Sequence, residues 1–317
     1  MTKTAFFASD PIALDAIEFL RNSREFPLAC VVSNPDRPQG RGRKIAPNEV
    51  SKWAIENGVE LLRPEGGVGD DTVARLRELG VEMIIVMAYG CMLRDNVLNY
   101  GQYPCLNLHG SVLPKYRGAS PIETAIAMGD SETGVSLMRI VKKMDAGAVC
   151  DIEKIAIAET DTAESLRLKF RRACPAILAR NLESVKNKTA KFAEQDESAA
   201  SYTRKFDKSD MYIDFSGSAE SVRDRVRALG FGVLQYGEDA IKVRDASCEN
   251  CGGGHPAGAI LSASADGLVV ACGNGAVVFK SLQKPCAKMM PAREFFAGYK
   301  MGIGEVLKSF PYKSLLK

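Results

Sequence analysis

Histidine is almost absent. The 317 residues hold two, His109 and His255, so each demands an explanation. Disulfide architecture is missing too. Nine cysteines (Cys30, Cys91, Cys105, Cys150, Cys174, Cys248, Cys251, Cys272, Cys286) are scattered without regular spacing. That excludes a disulfide scaffold and points to a reducing cytoplasm. No apolar run approaches a membrane span, and Met1 to Ala8 is too short for a signal peptide. A soluble cytoplasmic protein with no membrane partner is expected. Charge is nearly balanced at a formal +3, so nucleic-acid binding does not follow from bulk charge and must come from clustering. No G-x-G-x-x-G follows the first apolar run, so a dinucleotide is not indicated. The glycines at 66–69 and 252–254 lack the strand-before, helix-after context of a phosphate loop.

What is present is ordinary globular material, 46% hydrophobic and 26% charged. The length suits two domains. Thr4 to Ala8 reads as a buried strand. Ser9-Asp10-Pro11 then suits a helix start, and Ile12, Ala13, Ala16, Ile17 and Leu20 recur at helical spacing. Further strands are expected at 28–33, 59–62, 81–87, 105–109, 134–141 and 148–158, with helices at 50–57, 71–79 and 121–128. Alternating strands and helices imply an α/β fold with a doubly wound, mostly parallel, Rossmann-like sheet. A helix from about 161 to 186 should kink or break at Pro175.

Residues 1–188 form the expected catalytic domain. Residues 189–206 are polar and read as a linker. Residues 207–317 follow a different rhythm: a strand at 211–215, a helix at 219–229, then five short strands. That spacing suggests a small OB-type β-barrel. Residues 201–317 carry 16 Lys and Arg against 12 Asp and Glu, the sign an RNA-facing domain needs.

Three constellations stand out. Asn107 and His109 alternate onto one side where a strand ends, and Asp145 lies in a turn after another apolar strand. An amide donates to an oxyanion; a carboxylate orients an imidazole and moves a proton. Such a trio suits acyl-type transfer without a serine or cysteine nucleophile. The second is 34–44, kept out of helix and strand by its prolines and glycines and made cationic by Arg37, Arg41, Arg43 and Lys44. It rises at the ligand-binding end of the sheet. The third is Cys248, Cys251 and His255, three ligand types where a structural zinc site needs four; no metal is expected there.

The run Asn107 to Gly118, continued by Ala119-Ser120-Pro121-Ile122 and Gly134-Val135, resembles the signature of folate-dependent formyltransferases. Within that superfamily, Pro35-Asp36-Arg37-Pro38, Gly40-Arg41-Gly42 and the tail Met290-Pro291-Ala292-Arg293-Glu294-Phe295-Phe296 resemble the methionyl-tRNA formyltransferase family. The resemblance covers essentially the whole chain. It implies transfer of a formyl group from 10-formyltetrahydrofolate, a co-substrate, to the α-amine of methionyl initiator tRNA. It further implies Asn107, His109 and Asp145 as the catalytic trio. A folate pocket falls on Val86, Met87, Ala88, Tyr89 and Gly90, on Ser111, Val112, Leu113 and Pro114, and on Arg139, Ile140, Val141, Lys142 and Lys143. Arg41 matches the family's arginine that enters the acceptor arm. The first turn departs from the family's Gly-Thr-Pro, reading Ser9-Asp10-Pro11. A monomer satisfies every feature. The competing readings are a formyltransferase acting on a nucleotide-linked amino sugar and a non-catalytic RNA-binding module.

Overall fold

The computed structural model describes all residues except Gly40, Arg41, Arg43 and Gly253, together with the backbone alone of Gln39. Two compact units emerge: Met1–Gly118 with Thr133–Ala156 and Arg167–Ser201, and Ala119–Glu132 with Ile157–Leu166 and Tyr202–Lys317.

The first unit is built on a seven-stranded sheet. Its strands are Thr4–Phe7 (β1), Leu28–Val32 (β2), Leu61–Leu62 (β5), Met83–Val86 (β6), Leu106–His109 (β7), Glu132–Arg139 (β9) and Val149–Ala156 (β10). Between β2 and β5 lies a hairpin of Arg37–Gln39 (β3) and Lys44–Ala46 (β4), and Arg117–Gly118 (β8) follows β7. The sheet order is β10-β9-β7-β6-β1-β2-β5. β1 pairs in parallel with β2 and β6, and β6 with β7; β9 enters antiparallel to β7. Every residue of β1 is buried, as a strand covered on both faces must be. From β1 the chain works outward to β5, then returns to β6 on the other side. The order therefore reverses between β1 and β6, which marks the crevice where such sheets take ligands. The turns after these strands meet there: the Ser9 N–H donates to the Ala88 carbonyl at 3.2 Å.

The helix after β1 starts as expected. Asp10 caps the turn Pro11–Ala13 by accepting from the Ile12 N–H, and Leu14–Arg21 (α1) buries Ala16, Ile17 and Leu20. Two expectations are corrected. The 34–44 segment is not free of strand: Arg37–Gln39 and Lys44–Ala46 pair antiparallel. A two-stranded ribbon tolerates Pro38 because each of its strands keeps a free edge. The helix Ala163–Lys186 (α6) runs through Pro175 without a break; proline removes one hydrogen bond, and apolar packing of Phe170, Cys174, Ile177 and Leu178, all fully buried, carries the helix past it. Residues 189–201 group with the first unit, where the Ala193 and Val149 backbones exchange hydrogen bonds of 2.8 and 2.9 Å.

The second unit holds an antiparallel sheet of Gly232–Tyr236 (β12), Asp239–Glu249 (β13), Ile260–Ser264 (β14), Gly267–Ala271 (β15), Ala276–Gln283 (β16) and Met290–Pro291 (β17). Its order is β12-β13-β16-β15-β14, with β17 beside β16. Ala219–Leu229 (α7) packs Val222 and Val226 into a core with Phe215, Leu234, Ile241, Phe279 and Phe295. The strand expected at 211–215 is absent. Lys208–Met211 is instead a 3-10 turn, because Asp207 and Asp210 close a capping box around it. The arginines of α7 are spent internally. Arg225 is buried and shares the Asp210 carboxylate with Arg204. Arg223 and Arg227 both bind Asp224, and Arg227 also donates to the Ala158 and Asp161 carbonyls.

Candidate active site

β7 carries Asn107 and His109 to the carboxyl end of the sheet, one strand from the crevice. Antiparallel pairing sets His109 opposite Ser136 and Asn107 opposite Met138 on β9. The chain leaving β7 folds back on Ser136: its hydroxyl donates to the Ser111 carbonyl at 2.6 Å and accepts from the Leu113 N–H at 3.1 Å. The turn that follows brings the Tyr116 carbonyl to 3.0 Å from His109 Nε2. On the other side, His109 Nδ1 lies 3.7 Å from Asp145 Oδ1. His109 is buried and Asp145 only 18% exposed in its side chain. The three residues of the trio thus lie in one unit, with His109 and Asp145 facing each other. The structure places no hydrogen bond on the Asn107 side chain among the described residues, so its amide is open to a ligand.

Asp145 is held on both its side chain and its backbone. Oδ2 accepts from the Gly118 N–H at 2.8 Å. The residue sits at φ +49°, a left-handed conformation uncommon for residues other than glycine and recurrent at functional sites. Gly147 explains part of the constraint: a Cβ there would collide with the Arg139 carbonyl oxygen, so only glycine lets the turn close onto β9.

The segments expected to hold folate are brought to the same end. Val86, Met87 and Tyr89 are buried, while Ala88 and Gly90 at the turn are exposed, both at positive φ. Ile140 packs on the cluster that contains Val86 and Tyr89. Ser111 and Leu113 are buried, Val112 and Pro114 half-buried. Arg139 stacks on Phe192 at 4.3 Å, Lys142 pairs with Asp95 at 2.8 Å, and Val141 is exposed.

A cleft of about 440 Å³ opens beside the crevice, lined by Asn34, Asp36, Arg37, Pro64, Cys91 and Arg94 among others. Asn34 ties its walls together: Nδ2 donates to the Tyr89 carbonyl at 2.7 Å and Oδ1 accepts from Cys91 Sγ at 3.0 Å. Of the four basic residues that make 34–44 cationic, Arg37 lines this cleft and Lys44 is exposed on β4. Arg41 and Arg43 lie outside the described residues.

Residues missed from sequence ring the site. Arg117, read only as part of the signature run Asn107 to Gly118, is fully buried. Gln195 and Glu197, placed in a linker, bind it. Their sole signal was polarity, which solvated loops share. Cys248, Cys251 and His255 are not assembled into a metal-binding group; among the described residues no three His, Cys, Asp or Glu side chains stand together for one.

Comparison with known proteins fits this geometry. A family model for formyl transferase matches residues 3–182, and one for the formyl transferase C-terminal domain matches 205–300. Methionyl-tRNA formyltransferase of Acetivibrio thermocellus is 35% identical over 96% of this chain and 99% of its own. The chain belongs to the methionyl-tRNA formyltransferase family. The Sulfurihydrogenibium sp. member of that family is 31% identical over the same shares of the two chains. Among solved structures, the sugar 3N-formyl transferase WlaRD superposes with a TM-score of 0.67 at 19% identity, covering 91% of this chain and 99% of that one. The N-formyltransferase of Helicobacter canadensis has the same TM-score at 18% identity, covering 90% and 100%. At such identities the likeness is one of fold.

Proposed function

We propose that the protein transfers the formyl group of 10-formyltetrahydrofolate to the α-amine of methionyl initiator tRNA. What carries the reading is the unengaged Asn107 amide beside the His109–Asp145 pair at one strand end, in a chain whose family relatives match it end to end. The amine nitrogen attacks the formyl carbon and the carbonyl oxygen becomes an oxyanion. Asn107 donates to it. His109, when doubly protonated, donates Nε2–H to Tyr116 and offers Nδ1–H to the same oxyanion, since 3.7 Å from Asp145 is too long for a hydrogen bond. Asp145 takes the ammonium proton, directly or through water, and passes it to the folate nitrogen as the carbon–nitrogen bond to the donor breaks.

The turn at 86–90, with 111–114 and 139–143, receives the folate. The cleft lined by Arg37 receives the acceptor end of the tRNA. The antiparallel sheet of the second unit reads as an OB-type barrel that holds the tRNA body, with residues 189–206 joining it to a catalytic domain of residues 1–188. The protein works as a cytoplasmic monomer. The amino-sugar alternative rests on likenesses of fold alone, whereas family identity over the whole chain supports tRNA.

The test is formylation of methionine esterified to initiator and to elongator tRNA, with donor present. N-formylmethionine released from initiator tRNA supports the reading; none from either tRNA overturns it.

A further inference from the structure

The side chain of Gln195 joins the two pieces of chain that hold the His109–Asp145 pair. Its Nε2 donates to the carbonyls of Asp145 at 2.8 Å and Gly147 at 2.7 Å. Its Oε1 accepts from Nε and Nη2 of Arg117 at 3.0 and 2.9 Å. Only one orientation of the amide serves, because guanidinium groups only donate and carbonyls only accept. Arg117 in turn stands between Tyr116, whose carbonyl faces His109 Nε2, and Gly118, whose N–H holds Asp145 Oδ2. Glu197 adds a second tie, with Arg117 Nη2 at 2.9 Å and Lys143 Nζ at 2.5 Å.

These contacts bear on a strained residue. Asp145 has an uncommon left-handed backbone, and Gln195 bonds the carbonyl of Asp145 itself and that of Gly147 two residues on. We propose that Gln195 is a positioning residue for formyl transfer: it fixes the Asp145 turn so that the carboxylate meets His109. This rests on the role given above to Asp145 and His109. It also assigns a task to a segment whose composition predicts only a tether.

Gln195→Glu separates positioning from folding. A glutamate keeps an acceptor for the buried Arg117, and adds a charge for it, but turns an oxygen toward the two carbonyls. Gln195→Ala removes both sets of bonds. The experiment compares the full-length wild type with Gln195→Glu, Gln195→Ala and Asp145→Asn. It measures kcat and both KM values for 10-formyltetrahydrofolate and methionyl-tRNA, the melting temperature, and the imidazole NMR signals of the two histidines. The wild type melts within about 3 °C of Gln195→Glu. In that variant kcat falls about 10- to 100-fold, the loss expected when a reacting group is misplaced by an ångström, while each KM changes by less than about threefold. The His109 signals in both Gln195 variants move in the direction seen in Asp145→Asn, and those of His255 stay put. A wild-type kcat in Gln195→Glu, a loss confined to KM, or unmoved His109 signals would overturn the proposal. If the wild type formylates no tRNA, the functional reading fails by itself, and the His109 signals still decide whether Gln195 positions Asp145.

Discussion

His109 lies between two acceptors, the Asp145 carboxylate 3.7 Å from Nδ1 and the Tyr116 carbonyl 3.0 Å from Nε2. Nε2 is within hydrogen-bond reach of the Tyr116 carbonyl, whereas Nδ1 stands too far from Asp145 for a direct bond. Asp145 is the carboxylate beside the ring, and the reaction proposed above gives it the proton transfer. Asp145→Asn retains the Gly118 contact through its amide oxygen and should fold normally, yet lose about 10²- to 10⁴-fold in kcat, the range for losing an acid–base group. Steady-state kinetics beside a circular dichroism melt check this; a rate within threefold of wild type would remove Asp145 from the chemistry.

Acid should loosen the ring of contacts behind the site. Hydrogen bonds from Arg117, then from Lys143, hold the Glu197 carboxyl down at about 2, against an ordinary 4.5. Its folded value lies below its unfolded one, so its stabilisation is complete above about pH 4.5 and is lost as pH falls toward 2. Asp207, held to about 2 by the Ser209 hydroxyl, acts in the same direction. The melting temperature should drop between about pH 4.5 and about pH 2, and Glu197→Gln should flatten that drop. An equal pH slope in the variant would contradict the assignment.

The second unit has its own point of failure. The Asp210 side chain is fully buried between Arg204 at 2.5 Å and Arg225 at 3.0 Å, and Arg225 also stacks on Tyr312 at 4.2 Å. Asp210→Asn leaves a buried guanidinium without its counter-charge, a change that costs about 3–5 kcal/mol. Denaturant melts followed by tyrosine absorbance should show the loss. A variant as stable as wild type would mean that water reaches the pair.

The proposed phosphate contacts should be separable from the proposed folate contacts. Arg37→Ala and Lys44→Ala should raise KM for methionyl-tRNA and each lower the salt dependence of tRNA binding by about one unit of slope. KM for the formyl donor should stay unchanged. Equal damage to both substrates would make the β3–β4 hairpin a structural element of the folate pocket.

The parts of the fold that composition and period reveal were those governed by local rules. Alternation on a short apolar strand puts Asn107 and His109 together, and the turn after β9 supplies Asp145. The buried parallel strands β1 and β6 read as such because they lack polar faces. Arg117 and Gln195 were opaque for a physical reason. Burial of an arginine depends on partners brought from nearly eighty residues away, and a glutamine in a polar stretch looks like any solvated one. Likewise, the capping box that turns 208–211 away from a strand is a matter of side-chain bonds that hydrophobic period does not register.

The most direct measurement is a side-by-side assay in which labelled 10-formyltetrahydrofolate is offered methionyl initiator tRNA and a nucleotide-linked amino sugar. The account predicts label on the methionine of tRNA and none on the sugar. Label on the sugar alone would keep Asn107, His109 and Asp145 in place but contradict the assignment of the acceptor.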